Sequence, residues 1–403
     1  MTDSHIYKFV SDGFDKAKSG DAVAVYNIVS QYHDNGSLPE KSHYAFGWII
    51  YYALLQTGDG EIESRKKMLA RYFKLKLTVP HKLHSMILTQ AIRLYKDAKN
   101  LSYPNSNEIK TKFSIIKFAD LWDIENLRPG DWNRKKLDDK QLSSTVEKLI
   151  TVCVDEFENT NTAPSQKYMN FFDKAVSEYS DSVNVLNQRA TVHIICNETE
   201  QAASLLRNAI LMAPGKFFLW SRLASLISPN ENPHLCVSIL YKALSAPGKE
   251  QFKGKIRISL AEILIDRGAF PQALWELQKI KSIYESNGWH LPAKIDYLQK
   301  KIPAQTIPEN PERIYKKVEH LAYEDVYNSL PALYVVKTYH KQPSQTDMSA
   351  GYSNTTIAWR VTDNEGKNYW LQPHRYKMDT SLPLGTPLFI QIHNGKVVNA
   401  KLA

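Results

Sequence analysis

Cysteine is scarce in this sequence. Cys153, Cys196 and Cys236 are the three among 403 residues. An odd number at wide spacing excludes a disulfide framework and fits a reducing compartment. Long apolar runs are missing too. The most hydrophobic stretch, Trp48 to Leu55 (WIIYYALL), is too short to span a bilayer. The opening residues, MTDSHIYKFVSDGFDKAKSGD, lack a basic segment followed by an apolar one, so no signal peptide is expected. These absences point to a soluble cytoplasmic protein with no membrane partner.

The catalytic signatures are missing as well. No G-x-S-x-G, H-E-x-x-H or G-x-G-x-x-G occurs, which removes the easiest hydrolase and dinucleotide readings. A phosphate loop needs G-x-x-x-x-G-K-[ST], and GKEQFKGKI (248–256) comes closest. It has one residue too many between its glycines, Ile256 in place of the hydroxyl residue, and a helix before it where a strand is needed. Acidic pairs such as Asp138-Asp139 and Asp155-Glu156 fall on polar helix faces or turns, where solvation is commoner than catalysis. No enzyme and no cofactor is expected. His193-x-x-Cys196 and His234-x-Cys236 match no common zinc spacing, and small buried cysteines are ordinary helix packing. No metal is expected either. His81 and His84, after Pro80, read as capping or solvated residues.

What is present is a chain of ordinary globular composition, 43% hydrophobic and 23% charged, with a net charge of +9. That charge permits an acidic partner without requiring one. From Asp21 to about Leu298, amphipathic segments of helical period follow one another. Ser19-Gly20 starts the segment at 21–32, with Asp21 available as its cap. HYAFGWIIYYALLQ (43–56) is apolar on nearly every side and reads as a buried helix. ENTNTAPSQ (158–166) reads as a linker between two helical halves. Pro303, Pro308 and Pro311 end the helical region, and one more helix spans roughly 312–328. Five candidate strands follow: LYVVKTYH, TTIAWRVTD, NYWLQP, PLFIQIHN and KVVNAKL. Asn394-Gly395 between the last two is a strong hairpin signal. A long loop at 341–354 separates the first two.

The tetrapeptide APGK occurs twice, at 213–216 and 246–249, and each copy closes a helix. AASLLRNAILM and CVSILYKALS superpose Leu206 on Leu240 and Ala209 on Ala243, and Ala190 matches Ala224, all 34 residues apart. LIDRGAFPQALWELQ (264–278) continues the design. A period near 34, small residues at fixed helical positions and Pro after the second helix resemble the tetratricopeptide repeat, over about 183–288. The resemblance implies a right-handed helical-repeat solenoid whose concave surface holds a protein or peptide. The domain expectation is a helical domain at 1–160, repeats at 161–302, a Pro-rich linker and helix at 303–330, and a small antiparallel β-barrel at 331–403.

Two basic features stand out. Arg65, Lys66, Lys67, Arg71 and Lys74 lie within three helical turns, in a stretch (58–100) with ten Lys or Arg against four Asp or Glu. A solvated helix face is the ordinary reading of such a run, and an acidic partner or a nucleic-acid backbone is the functional one. In the β-region, alternation sorts Ile357, Trp359, Val361, Tyr369, Leu371, Leu388, Ile390 and Ile392 into a core. The opposite face then presents Arg360, Trp370, Phe389, Gln391 and His393, with His374 and Arg375 nearby. Aromatics interleaved with bases suit stacking and phosphate neutralisation. Five strands with that face resemble an OB-fold or cold-shock-like barrel. The alternative is that the preceding helix or the 341–354 loop covers Trp370 and Phe389. The layout reads as a non-enzymatic adaptor for a protein or peptide. Single-stranded DNA or RNA is the competing partner. An accessory role in a bacterial stress or defence system is suggested by layout alone.

Overall fold

The computed structural model describes residues 2–100, 113–138, 140–327, 330, 332–341, 357–376, 378–393 and 396–403. The chain forms two units, one through Glu198 and one from Thr199.

The first unit is built from helices α1 (Asp3–Lys16), α2 (Ala22–Asp34), α3 (His43–Gln56), α4 (Ile62–Tyr72), α5 (Lys82–Asn100), α6 (Ile115–Trp122) and α7 (Pro129–Trp132), a hairpin of β1 (Lys135–Leu137) and β2 (Lys140–Leu142), and α8 (Thr145–Thr160), α9 (Gln166–Glu178) and α10 (Val183–Ile195). Asp21 precedes α2 but makes no side-chain cap. The first amide of α2, on Ala22, donates instead to Gln56 Oε1 of α3 at 2.9 Å, so a distant side chain satisfies an orphan donor of the helix start. The nearly all-round apolar helix α3 is central: Phe46, Ile49, Ile50, Ala53 and Leu54 are fully buried. Gly47 lets α5 approach it, because a Cβ there would stand 2.8 Å from Leu83 Cδ2. Ser144 and Glu147 form a reciprocal capping box at the start of α8. The helices on either side of 158–166 pack in the same unit, where α8 and α9 both contact α10.

The second unit begins with α11 (Thr199–Met212), α12 (Phe217–Ala224), α13 (Pro233–Ser245), α14 (Gly254–Asp266), α15 (Phe270–Ser286) and α16 (Ala293–Lys300). Each of these packs on the next in the chain, through Leu206, Ala209, Leu223, Leu240, Ala243, Leu260, Ala261, Ala273 and Leu277, all buried. The two APGK turns end α11 and α13 and lie side by side: a Cβ on Gly215 would be 3.8 Å from Pro247 Cδ. Gly248 has φ 152°, and a Cβ there would meet the Phe217 ring at 3.0 Å, so this turn requires glycine. Both lysines of the turns are exposed.

Helix α17 (Glu312–Tyr327) follows the prolines and packs on α13 and α11. Its fit is polar as well as apolar. Ser238 Oγ of α13 donates to the Glu319 carbonyl at 3.2 Å and accepts from the Ala322 amide at 2.8 Å. Lys242 pairs with Glu319 at 2.7 Å and Arg207 with Asp325 at 2.9 Å. Tyr315 donates to the buried carboxylate of Glu276 on α15, which also pairs with Arg257 at 2.6 Å.

The chain closes with β3 (Ala332–Lys341), β4 (Ala358–Asp363), β5 (Asn368–Leu371), β6 (Pro387–His393) and β7 (Lys396–Leu402). They form a curled antiparallel sheet in the order β5-β4-β3-β6-β7. Strand β3 is shared: 332–336 pair with β6, and 335–341 pair with β4. Trp359, Val361, Tyr369, Leu371, Leu388 and Ile390 are buried on the inner face, and Ile357 and Ile392 are half-buried. The Asn394-Gly395 pair lies outside the described residues, as does all but the first residue of the 341–354 loop.

Candidate functional site

The site is built on the outer face of the sheet, and a β-bulge makes it. Val335 and Lys337 of β3 point into the core, so strict alternation would send Tyr339 inward as well. The register between β3 and β4 shifts between Lys337 and Tyr339. One extra residue, Thr338, reverses the parity. Tyr339 therefore lies opposite Arg360, which lies opposite Trp370.

The three side chains form one row across β3, β4 and β5. The Arg360 guanidinium carbon is 5.4 Å from the Tyr339 ring centroid. Tyr339 and Trp370 meet edge to face at 6.3 Å. Trp370 is 56% exposed and Tyr339 45%. No carboxylate pairs with Arg360 among the described residues, and its Nε has no hydrogen-bond partner there. Beside the row runs a chain of short polar side chains: Thr338 Oγ1 and Thr362 Oγ1 lie 2.9 Å apart, and Thr362 donates to Asn368 Oδ1 at 2.8 Å. Flat rings, a planar cation with no acidic partner among the described residues and hydrogen-bonding groups at their side can stack a base and face a phosphate.

Beneath the row, Lys337 is buried with its Nζ 4.1 Å from the Trp359 ring centroid, donating to the Leu382 carbonyl. Burial lowers its pKa. Its position pins the 379–386 segment to the sheet, together with the Gly385 amide bonded to the Lys337 carbonyl at 2.8 Å.

The residues singled out in the sequence divide between this face and α4. Arg360 and Trp370 are together in the row. Phe389 is half-buried on β6, with its ring 5.8 Å from that of exposed Tyr334. The side chains of His374, Arg375 and His393 lie outside those described. Sequence reasoning missed Tyr339 and Tyr334. Tyr334 was legible from its alternation opposite Phe389, whereas the bulge that turns Tyr339 outward carries no Gly or Pro signal.

Helix α4 presents a different picture. Arg65 is fully buried and pairs with Asp97 at 2.7 Å. Arg71 pairs with Asp34 and also bonds the Tyr26 hydroxyl, and it holds the Asp34 carboxyl below the usual carboxylate range. Lys66 pairs with Glu63 at 2.8 Å. That leaves Lys67 and Lys74 as the exposed bases of the run without a carboxylate among the described residues. Arg65 is thus part of the core, not of a surface, because its neighbours Met68, Leu69 and Tyr72 draw that side of the helix inward.

The histidines flagged in the sequence serve packing. His84 is buried, stacked on Trp122 at 4.4 Å, and bonded to the Tyr72 hydroxyl and the Trp122 carbonyl. Burial drives its pKa down to about 4. His81 Nδ1 accepts from the His84 amide at 3.1 Å, a cap for α5. His193 pairs with Glu198 and Cys236 is buried in α13. Among the described residues no group of three or more His, Cys, Asp or Glu is placed to hold a metal ion, and no helix is long and apolar enough to cross a membrane.

Residues 187–322, about a third of the chain, match the sequence profile of a domain of unknown function (DUF7017). The matched stretch includes α11 to α16 and most of α17 and stops before the sheet. No curated protein matches the chain.

Proposed function

We propose that the outer face of the C-terminal sheet binds single-stranded nucleic acid. The observation that carries this reading is the row Tyr339–Arg360–Trp370, two exposed rings beside a half-buried guanidinium that has no acidic partner among the described residues. Stacking on such rings tolerates any base, and an arginine beside them neutralises phosphate. The net charge of +9 favours the same partner. A long first strand shared between β4 and β6, and edge strands β5 and β7 that come near each other, support an OB-like identity for the sheet. The test is a salt titration of labelled single-stranded DNA and RNA. Binding in the micromolar range that weakens steeply with salt supports the reading, and no binding at low salt rejects it.

A second reading, a scaffold for a protein or peptide, is favoured by exposed Phe252, Trp289 and Tyr297 around α14 to α16. Consecutive helix packing at a sequence period near 34 supports a tetratricopeptide-like identity for that region. Its test is capture of partners from lysate by the wild-type chain and by a Trp289→Ala variant. Identical captures would reject that surface as the contact.

A further inference from the structure

The outer face of the sheet continues past the row into a cleft of about 560 Å³ between α17 and strands β6 and β7. Its size is that of a small-ligand site. Tyr323, Tyr376 and Phe389 line it, with Glu324, Asn399 and Lys401 among them.

The polar groups are fixed in a way that defines a complement. Gln391 Nε2 donates to the carbonyls of Tyr327 and Leu330, and Gln391 Oε1 accepts from Asn399 Nδ2 at 2.9 Å. Asn399 spends one N–H on Gln391, and its Oδ1 receives no hydrogen bond among the described residues. Glu324 is exposed and has no cation partner there, and Lys401 is exposed with no carboxylate. Two acceptors, one ammonium and three rings match a flat heterocycle with an N–H edge joined to an anion.

The cleft also lies in line with the row. Tyr334, opposite Phe389, precedes Tyr339 by five positions on β3, so about 16 Å of one strand joins the two places. Helix α17 stands against the outer face at that end. We infer that the cleft takes the terminal nucleotide of a strand bound on the sheet, and that the favoured base carries an exocyclic amine. This rests on the nucleic-acid reading above.

The experiment uses the full chain and fluorescence anisotropy with oligothymidylates of about 12 nucleotides, each carrying one adenine at the 3′ end, the 5′ end or the centre. One end-placed adenine is expected to bind at least about fivefold tighter than the central one, the effect of a single well-seated base. Glu324→Gln is expected to erase that preference and Lys401→Ala to weaken all three oligonucleotides through the lost phosphate contact, both with an unchanged Tm because the positions are exposed. Equal affinity for all three oligonucleotides overturns the inference and leaves the sheet reading intact. A preference that survives Glu324→Gln overturns it as well. If none of the three binds, the nucleic-acid reading itself fails.

Discussion

Helix α4 and the outer face of the sheet both present arginine beside aromatic rings, and they use it in opposite ways. In α4, Arg71 lies over the Tyr26 ring at 5.3 Å, but Asp34 neutralises it, and Arg65 is buried against Asp97. On the sheet, Arg360 lies over Tyr339 at nearly the same distance, with no carboxylate among the described residues. The geometry of ring and cation is similar in the two places. The difference is the third partner. The arginines of α4, already paired, contribute stability and little field, whereas the Arg360 guanidinium beside the Tyr339 ring meets no carboxylate among the described residues and is available to a ligand.

The largest effect that would separate the two is expected at Arg65. Arg65→Ala removes a buried cation and leaves Asp97 only the longer contact to Arg93 at 3.9 Å, and should lower stability by about 3 kcal/mol in urea unfolding, with oligonucleotide affinity unchanged. Trp370→Ala should do the reverse. It should cost about 1–3 kcal/mol of binding to single-stranded DNA or RNA by anisotropy, with a Tm close to wild type because the ring is half exposed. If Arg65→Ala weakened binding directly and Trp370→Ala did not, the comparison would be inverted.

Acid should divide the regions next. Burial holds His84 at about 4 and also lowers His43 and His81, all in the first unit. Below the ordinary histidine value near 6.5 the unfolded chain takes up protons that the native state does not. Stability is therefore complete above that pH and falls as the pH drops towards 4. The Tm should decrease by several degrees between pH 7 and pH 5, and a His84→Gln variant should show a shallower slope. Guanidinium groups as a class keep their charge over this range, so oligonucleotide affinity should be flat while the protein remains folded. The smallest effect is expected for the double variant Lys67→Ala, Lys74→Ala, whose side chains are exposed and without carboxylate partners among the described residues. Stability should stay within about 0.5 kcal/mol. Any drop in oligonucleotide affinity would bring α4 back as a contact.

Most helices from Asp21 onward and all five C-terminal strands were legible because each rests on local periodicity, whereas α1 and the β1–β2 hairpin were missed. Alternation likewise gave the inner face at Trp359, Val361, Leu388 and Ile390, since one side of those strands is dry. Long-range partners were not legible. Nothing near Arg65 in the sequence announces Asp97, thirty-two positions away, and nothing near Ala22 announces Gln56. Two of the three residues of the row were visible, Arg360 and Trp370. The third, Tyr339, was hidden by a single unpaired residue at Thr338, which leaves composition unchanged and reverses the orientation of the strand after it. The 34-residue spacing of Leu206 and Leu240 likewise says nothing of the helix α17 that packs onto α11 and α13.

Gln391 has a consequence for the order of assembly. Its amide nitrogen satisfies carbonyls of Tyr327 and Leu330 at the end of α17 from a position more than sixty residues later in the chain. Until β6 has paired with β3, the Tyr327 carbonyl keeps only the local amide of Leu330, and the end of α17 lacks its tie to Gln391. Closing so long a loop is slow compared with forming a helix. Helix α17 should therefore form and fray early, and its C-terminal turn should gain protection from hydrogen exchange only when the sheet does.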